Sequence, residues 1–493
     1  MAEQWLARQD KAAGHVNANR KIGCDKTEPN CRNCIRTGRS CLGYGLRLTW
    51  PDSPDGRRKG GGSITHVLSP GHSIPRRLCG SHFLNTTYED FALAQLGPGA
   101  RSLPLGRPRC SLSIHTPLSG QDGMFLRYYE SIISPMVSTT RARNSFTTEI
   151  LPRALSNKSL SATALCNATL AISAFHLFSS EAALLYKSKA VWHLSKSLSS
   201  ATSLALPEAT ETQLAACMML FMYSVFDDKE PSWHIHLDGA KRMLDSFNST
   251  QASLSSVFLP YWFLYYQVLK DFTRPTQESP GSGAVESLWL WQLPGPDRSW
   301  VIGYLGCSIE VFEVLSKINR MRLSSGYKDS SSPLLELTKC RNILELRLNN
   351  LLQFLDPEEE HSTTPIERAR ILAKAELYRL AALLYLLRVC PADGDGIARN
   401  AYLDQAHKVL DMLPVVSSPW PLFIVACESQ TDEQRVIILR VLDEMEKARN
   451  IGNIHVARRI IEMFWKQKDL QGPGSRLMYW HLIDRDDKVP WFA

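Results

Sequence analysis

Cys24, Cys31, Cys34 and Cys41 stand as C-x6-C-x2-C-x6-C near the start of a 493-residue chain. Deprotonated cysteine sulfur binds Zn²⁺ at about 2.3 Å in a tetrahedron, and a C-x2-C turn delivers two sulfurs to one ion. Four thiolates at this spacing are therefore a zinc-binding set. Between residues 20 and 45 there are almost no apolar side chains beyond Ile22, Ile35, Leu42 and Tyr44. No core can form from these, so metal binding, worth on the order of 10 kcal/mol, must supply the folding energy. Without metal this segment is expected to be disordered.

Charge points the same way. Residues 1–60 hold twelve Lys or Arg against six Asp or Glu, which is +6 of the chain's net +7. The footprint for a polyanion therefore lies on the cysteine segment, while the rest of the chain is nearly neutral. The triplet Arg57-Arg58-Lys59 fits either nuclear import or a solvated tail.

The residues around the cysteines narrow the class. Arg20-Lys21-Ile22-Gly23-Cys24-Asp25, Pro29-Asn30-Cys31-Arg32-Asn33-Cys34 and Gly38-Arg39-Ser40-Cys41-Leu42-Gly43-Tyr44 closely resemble the binuclear zinc cluster of fungal transcription regulators. The resemblance implies zinc as cofactor, two ions per intact cluster shared among six cysteines, and Cys24, Cys31, Cys34 and Cys41 as ligands. It also implies double-stranded DNA as partner, read at CGG-type triplets in the nucleus. In that family, basic residues between the second and third cysteines reach guanine edges. Arg20 and Lys21 occupy the matching positions, and arginine suits bidentate contact with guanine O6 and N7. Lys26, Arg32, Arg36 and Arg39 would then meet phosphates, giving affinity that falls with salt but no sequence choice.

The chain departs from the family at three places. Gly14 and Asn17 stand where the first two cysteines belong, so a bridging sulfur is missing, and Gly23 replaces a frequent lysine. Three readings follow: a start that joins the family text abruptly at Arg20, as at a splice boundary; a variant in which one zinc takes the four thiolates; or a module without metal or DNA binding. His15, beside position 14, is either a substitute ligand or a solvated side chain. Under the first reading, the DNA just before the Arg20 codon should encode Cys-x-x-Cys-Arg.

The elements that would carry such a reader are legible further on. Residues 14–45 are the truncated zinc module and 46–122 a Gly-, Pro- and Ser-rich linker, with one short helix fitting Tyr88 to Leu96 and no heptads for a coiled coil. Residues 123–493 form a large all-helical domain, so the fold class is mainly α. Apolar stripes at three- and four-residue spacing run through Leu165, Ala168, Ile172 and Phe175, and through Leu184, Val191, Leu194 and Leu198. Another follows Val436, Leu439, Leu442 and Met445. Thr210 with Gln213, Thr364 with Glu367 and Thr431 with Gln434 read as capping boxes, and the helix after Thr364 should end before Cys390-Pro391. Glu358-Glu359-Glu360 reads as a solvated turn.

Within this domain Phe125-Leu126-Arg127-Tyr128-Tyr129, His236-Leu237-Asp238-Gly239-Ala240, Leu305-Gly306-Cys307-Ser308 and Trp420-Pro421-Leu422-Phe423-Ile424, with Asn450, Asn453 and Trp465, resemble landmarks of the helical regulatory domain that accompanies fungal zinc clusters. By that resemblance the further partners are the transcription machinery, a small-molecule effector and a second copy of the chain.

Other classes find little support. Val257–Leu269 and Leu380–Val389 are apolar but too short to span a bilayer, so no membrane partner is expected. Scattered cysteines such as Cys79, Cys110, Cys217 and Cys427 suggest small hydrophobes in a reducing compartment, not disulfides. No phosphate loop, G-x-S-x-G or H-E-x-x-H occurs, and His234 and His236 at i and i+2 point to different sides of a helix. An enzyme is not expected. Tyr261-Trp262-Phe263 and Tyr265-Tyr266 fit a helix core or the wall of a small-molecule pocket. The chain thus reads as a zinc-dependent, sequence-specific regulator of RNA polymerase II transcription, or as a helical scaffold that no longer binds DNA.

Overall fold

The computed structural model of the chain describes residues 32–38, 120–200, 207–227, 229, 233–250, 254–275, 288–293, 295–324, 333–472, 477–483 and 492. Contacts divide the chain into two units, Met1–Pro108 and Arg109–Ala493. In the first, Arg32–Arg36 form a short helix followed by a turn through Gly38.

The second unit is mainly α. Helix α1 (Gly120–Tyr128) runs through a π turn (Tyr129–Ile133) into Ser134–Met136, and a second π turn (Phe146–Ile150) leads into α2 (Leu151–Leu155). Then come α3 (Leu160–Leu177), α4 (Ser180–Ser199), α5 (Pro207–Phe226), α6 (Trp233–Thr250) and α7 (Phe258–Thr273). A hairpin of β1 (Val301–Ile302) and β2 (Cys307–Ser308), antiparallel with Val301 opposite Ser308, opens the second half. It is followed by α8 (Ile309–Ser324), α9 (Pro333–Asn349), α10 (Pro357–Ser362), α11 (Pro365–Val389), α12 (Asp395–Met412), α13 (Pro419–Glu428), α14 (Asp432–Arg449), α15 (Gly452–Gln471) and α16 (Trp480–Ile483).

Caps explain most of the boundaries. Ser159 and Ser179 accept from backbone N–H groups of α3 and α4. Thr364 and Thr431 form the expected capping boxes, and α11 stops at Val389, before Cys390-Pro391. Thr210 is no cap, because α5 starts three residues earlier with Pro207, whose fixed φ suits a first helical position. Glu358-Glu359-Glu360 is no loop either. Asp356 caps α10 and Pro357 opens it, and buried Glu359 accepts from the backbone N–H of Arg141 (2.8 Å) and Ala142 (2.7 Å).

Packing follows residue size as much as period. α3 presents Leu165, Ala168 and Ile172 to the core as expected, with Phe175 half-buried. α4 instead buries Ala183, Tyr186, Ala190 and Leu194 and leaves Leu184, Val191 and Leu198 exposed, since alanines permit a close approach to α3. α14 likewise turns Ile438, Val441, Leu442 and Met445 inward, with Val436 outside. By length and composition α3 is long and apolar enough to cross a membrane, a span the sequence reading did not single out, and 61% of it is buried in the unit. α11 is buried on every side from Leu380 to Leu387 and is the axis of the second half, packed by α8, α9, α12 and α13. Cys217, Cys307 and Cys427 are buried among apolar neighbours, and burial pushes the Cys217 thiol up to about 12.

An ion-pair cluster joins α8 to α9. Arg347 donates to Glu310 (2.5 Å) and Glu313 (3.0 Å), and Lys317 sits 2.8 Å from Glu313. Burial raises the Glu313 pKa, but the hydrogen bonds and charges of Arg347 and Lys317 outweigh it and hold the group at about 2. A depressed folded-state pKa contributes stability above the ordinary carboxylate value, lost as the pH falls towards about 2. Glu313→Gln is expected to remove about 1 kcal/mol at neutral pH, after solvent screening, and to flatten the acid limb. Urea midpoints from about pH 6 down to about pH 2 test this; parallel curves for both proteins would refute it.

Candidate functional site

Of the proposed ligands and DNA contacts, Arg20, Lys21, Cys24, Lys26, Cys31, Arg39 and Cys41 lie outside the described residues, as do the Tyr88–Leu96 helix, Cys79 and Cys110. Cys34 falls within the short helix Arg32–Arg36, where Arg32, Ile35 and Arg36 are exposed. No group of three His, Cys, Asp or Glu able to hold a metal occurs among the described residues. The four thiolates suit one tetrahedral ion by donor chemistry and leave a two-metal cluster short of a bridging sulfur.

In the second unit, chemistry gathers where the hairpin meets α7, α13 and α14. The turn between β1 and β2 needs two glycines. Gly306 has φ +74°, and a Cβ there would meet the Tyr378 ring at 3.0 Å. At Gly303 a Cβ would lie 2.1 Å from Thr140 Oγ1. This tight turn forms one wall of a cavity of about 40 Å³, whose other walls include Trp262, Tyr265 and Tyr266 on α7, Ser417 and Ser418 before α13, and Asn453 on α15. Of the α7 aromatics, Trp262, Tyr265 and Tyr266 are both helix core and cavity wall, whereas Tyr261 and Phe263 are buried core outside this lining.

Arg449 completes the lining. It is the last residue of α14, which Asn450 ends in the left-handed conformation at φ 48°. The side chain turns inward, only 8% exposed, and its guanidinium donates to the carbonyls of Ser417 and Met136. Its own carbonyl accepts from His176 Nε2 (2.6 Å), while Tyr128 donates to His176 Nδ1 (2.8 Å). No described carboxylate pairs with it; the titratable groups that act on it are the phenols Tyr265, Tyr378 and Tyr266. Burial pulls its pKa down to about 10.

A second, larger cleft of about 620 Å³ shares Gly303 and Tyr304 with the first. Its acids are engaged: Glu149 accepts from Ser256 (2.5 Å), Asp356 pairs with Arg143 (2.9 Å), and Glu359 holds the backbone described above. Phe258, Trp300 and Tyr304 supply apolar wall, and the volume is that of a small-molecule site.

Residues 124–492 match the family model described as the fungal specific transcription factor domain. The chain belongs to that family. It is a transcriptional regulator of the fungal type, and the family's members are transcription factors, not enzymes. Among relatives, it is 27% identical to "Transcription factor iacI" of Pestalotiopsis fici, over 64% of this chain and 80% of that protein. It is 21% identical to "Acriflavine sensitivity control protein acr-2" of Neurospora crassa, over 94% of this chain and 93% of that one. No solved structure matches it.

Within this fungal specific transcription factor domain, several of the sequence landmarks gather at the cavity. Leu305, Gly306 and Asn453 line the cavity, Asn450 ends the helix that delivers Arg449, and Trp420 packs on Tyr378 behind Ser417. Trp465 Nε1 donates to the Ala426 carbonyl (2.8 Å). Sequence reasoning missed Arg449 itself, because a basic residue in a last helical turn is ordinary. His234 is exposed and His236 half-buried on α6, away from this gathering.

Proposed function

We propose that this regulator binds DNA through its cysteine segment in a zinc-dependent way, in the nucleus, and controls RNA polymerase II transcription of a metabolic or secondary-metabolite pathway. The observation that carries the reading is the presence in one chain of the C-x6-C-x2-C-x6-C text and the fungal specific transcription factor domain. Residues 14–45 act as reader, 46–122 as linker and 123–493 as regulatory body. Cys24, Cys31, Cys34 and Cys41 hold one zinc, which supplies the folding energy of the reader. Arg20 and Lys21 contact guanine edges of a CGG-type triplet; Lys26, Arg32, Arg36 and Arg39 neutralise phosphates. The exposure of Arg32 and Arg36 supports the latter role. The 620 Å³ cleft supports a small-molecule effector.

Gly14 and Asn17, standing where two family cysteines belong, favour a second reading: a regulatory or scaffold protein without DNA binding. Two measurements on the full chain separate them. Zinc content by mass spectrometry is expected near one ion per chain, and fluorescence anisotropy should show preference for a CGG duplex over a scrambled one. Arg20→Ala is expected to lower that preference by about 1–3 kcal/mol. Arg36→Ala should weaken both duplexes alike and reduce the salt slope by about one. A protein that stays metal-free after reconstitution and binds both duplexes equally refutes the reader and leaves the scaffold.

A further inference from the structure

Arg449 poses an electrostatic problem that the fold alone does not solve. A guanidinium withdrawn from water loses several kcal/mol of hydration, and in ordinary interiors a carboxylate offsets that loss. Here two carbonyl dipoles and the negative end of α14 orient the cation without neutralising it.

The cavity beside Arg449 has the complementary features. The hydroxyl of Ser417 lines it and has no hydrogen-bond partner among the described residues. Asn453 and Ser418 add polar wall, and Tyr265, Tyr266 and Trp262 enclose the rest. At about 40 Å³ it holds a few waters or one compact ion, and it is too small for a phosphate ester or a nucleotide.

We propose that this cavity binds a compact monovalent anion, chloride or the carboxylate end of a short organic acid, through Arg449 and Ser417. The anion neutralises the guanidinium and accepts from the Ser417 hydroxyl. The site lies within the unit Arg109–Ala493 and needs neither zinc nor DNA, so it stands or falls apart from the reader.

The test follows thermal unfolding of the full chain by circular dichroism. Sodium gluconate, whose anion exceeds the cavity, is exchanged stepwise for sodium chloride or sodium acetate at constant ionic strength. The midpoint is expected to rise and saturate, as ligand binding to the folded state requires. A rise with chloride alone identifies a halide; a larger rise with acetate identifies a carboxylate. In Ser417→Ala, which removes the unpartnered hydroxyl and leaves the carbonyl contacts of Arg449 in place, half-saturation should need about tenfold more anion. A midpoint that does not move, that drifts without saturating, or that responds identically in Ser417→Ala overturns the proposal. Arg449→Met should abolish the response if it folds, and Ser417→Ala decides the matter if it does not.

Discussion

Glu428→Ala is expected to destabilise the regulatory domain by about 3–5 kcal/mol. Glu428 ends α13, is 1% exposed, and accepts from both Nε (2.7 Å) and Nη2 of Arg388 on α11, with Arg399 of α12 at 3.8 Å. One carboxylate therefore holds three helices around the core axis. Removing it strands Arg388 and Arg399 with their charges only partly solvated, and breaking a buried pair on one side costs far more than the pair gains overall. Glu428→Gln keeps the shape and one acceptor, and should cost less than half as much. Urea unfolding followed by circular dichroism reads both; an alanine variant within about 0.5 kcal/mol of the wild type would show that the pair contributes nothing.

The second large effect is expected at Trp420. Its side chain is fully buried, stacked on Tyr378 at 5.8 Å and 17°, with the rings of Phe272 and Tyr385 edge-on. Truncation to alanine removes the stacking and opens a void among rings carried by α7 and α11, for an expected loss of about 3–5 kcal/mol. The indole nitrogen has no hydrogen-bond partner among the described residues, so Trp420→Phe sheds an unsatisfied donor while keeping an aromatic ring. Phenylalanine should therefore recover more than half of the alanine loss. If the two variants unfold at the same midpoint, ring packing at this position does not matter.

How much of this was legible beforehand varies with the kind of information a sequence carries. Capping boxes at Thr364 and Thr431 are local chemistry within four residues, and both read correctly. The stripes of α4 and α14 were harder. Periodicity gives the angular width of an apolar band but not which edge of it faces inward, and on α4 the partner helix chose Ala183 and Ala190 over Leu184 and Val191. Glu359 looked like one of three solvated acids because its partners, the N–H groups of Arg141 and Ala142, lie more than two hundred positions away. Arg449 was hidden for the same reason: its two carbonyls and its cavity are assembled from distant segments. At the cysteine segment the reverse holds, since ligand spacing is a purely local signal.

The contacts of Arg449 also bear on how the protein is made. Its guanidinium reaches back 313 positions to Met136, and the carbonyl of Phe492 accepts from Ser418 and from the N–H of Trp420. During translation, therefore, the Met136 carbonyl must wait for the end of α14, and the start of α13 for Phe492, before these contacts close. Such late closure slows maturation and lengthens exposure of apolar surface. Chaperone supply should accordingly govern how much active regulator a cell accumulates.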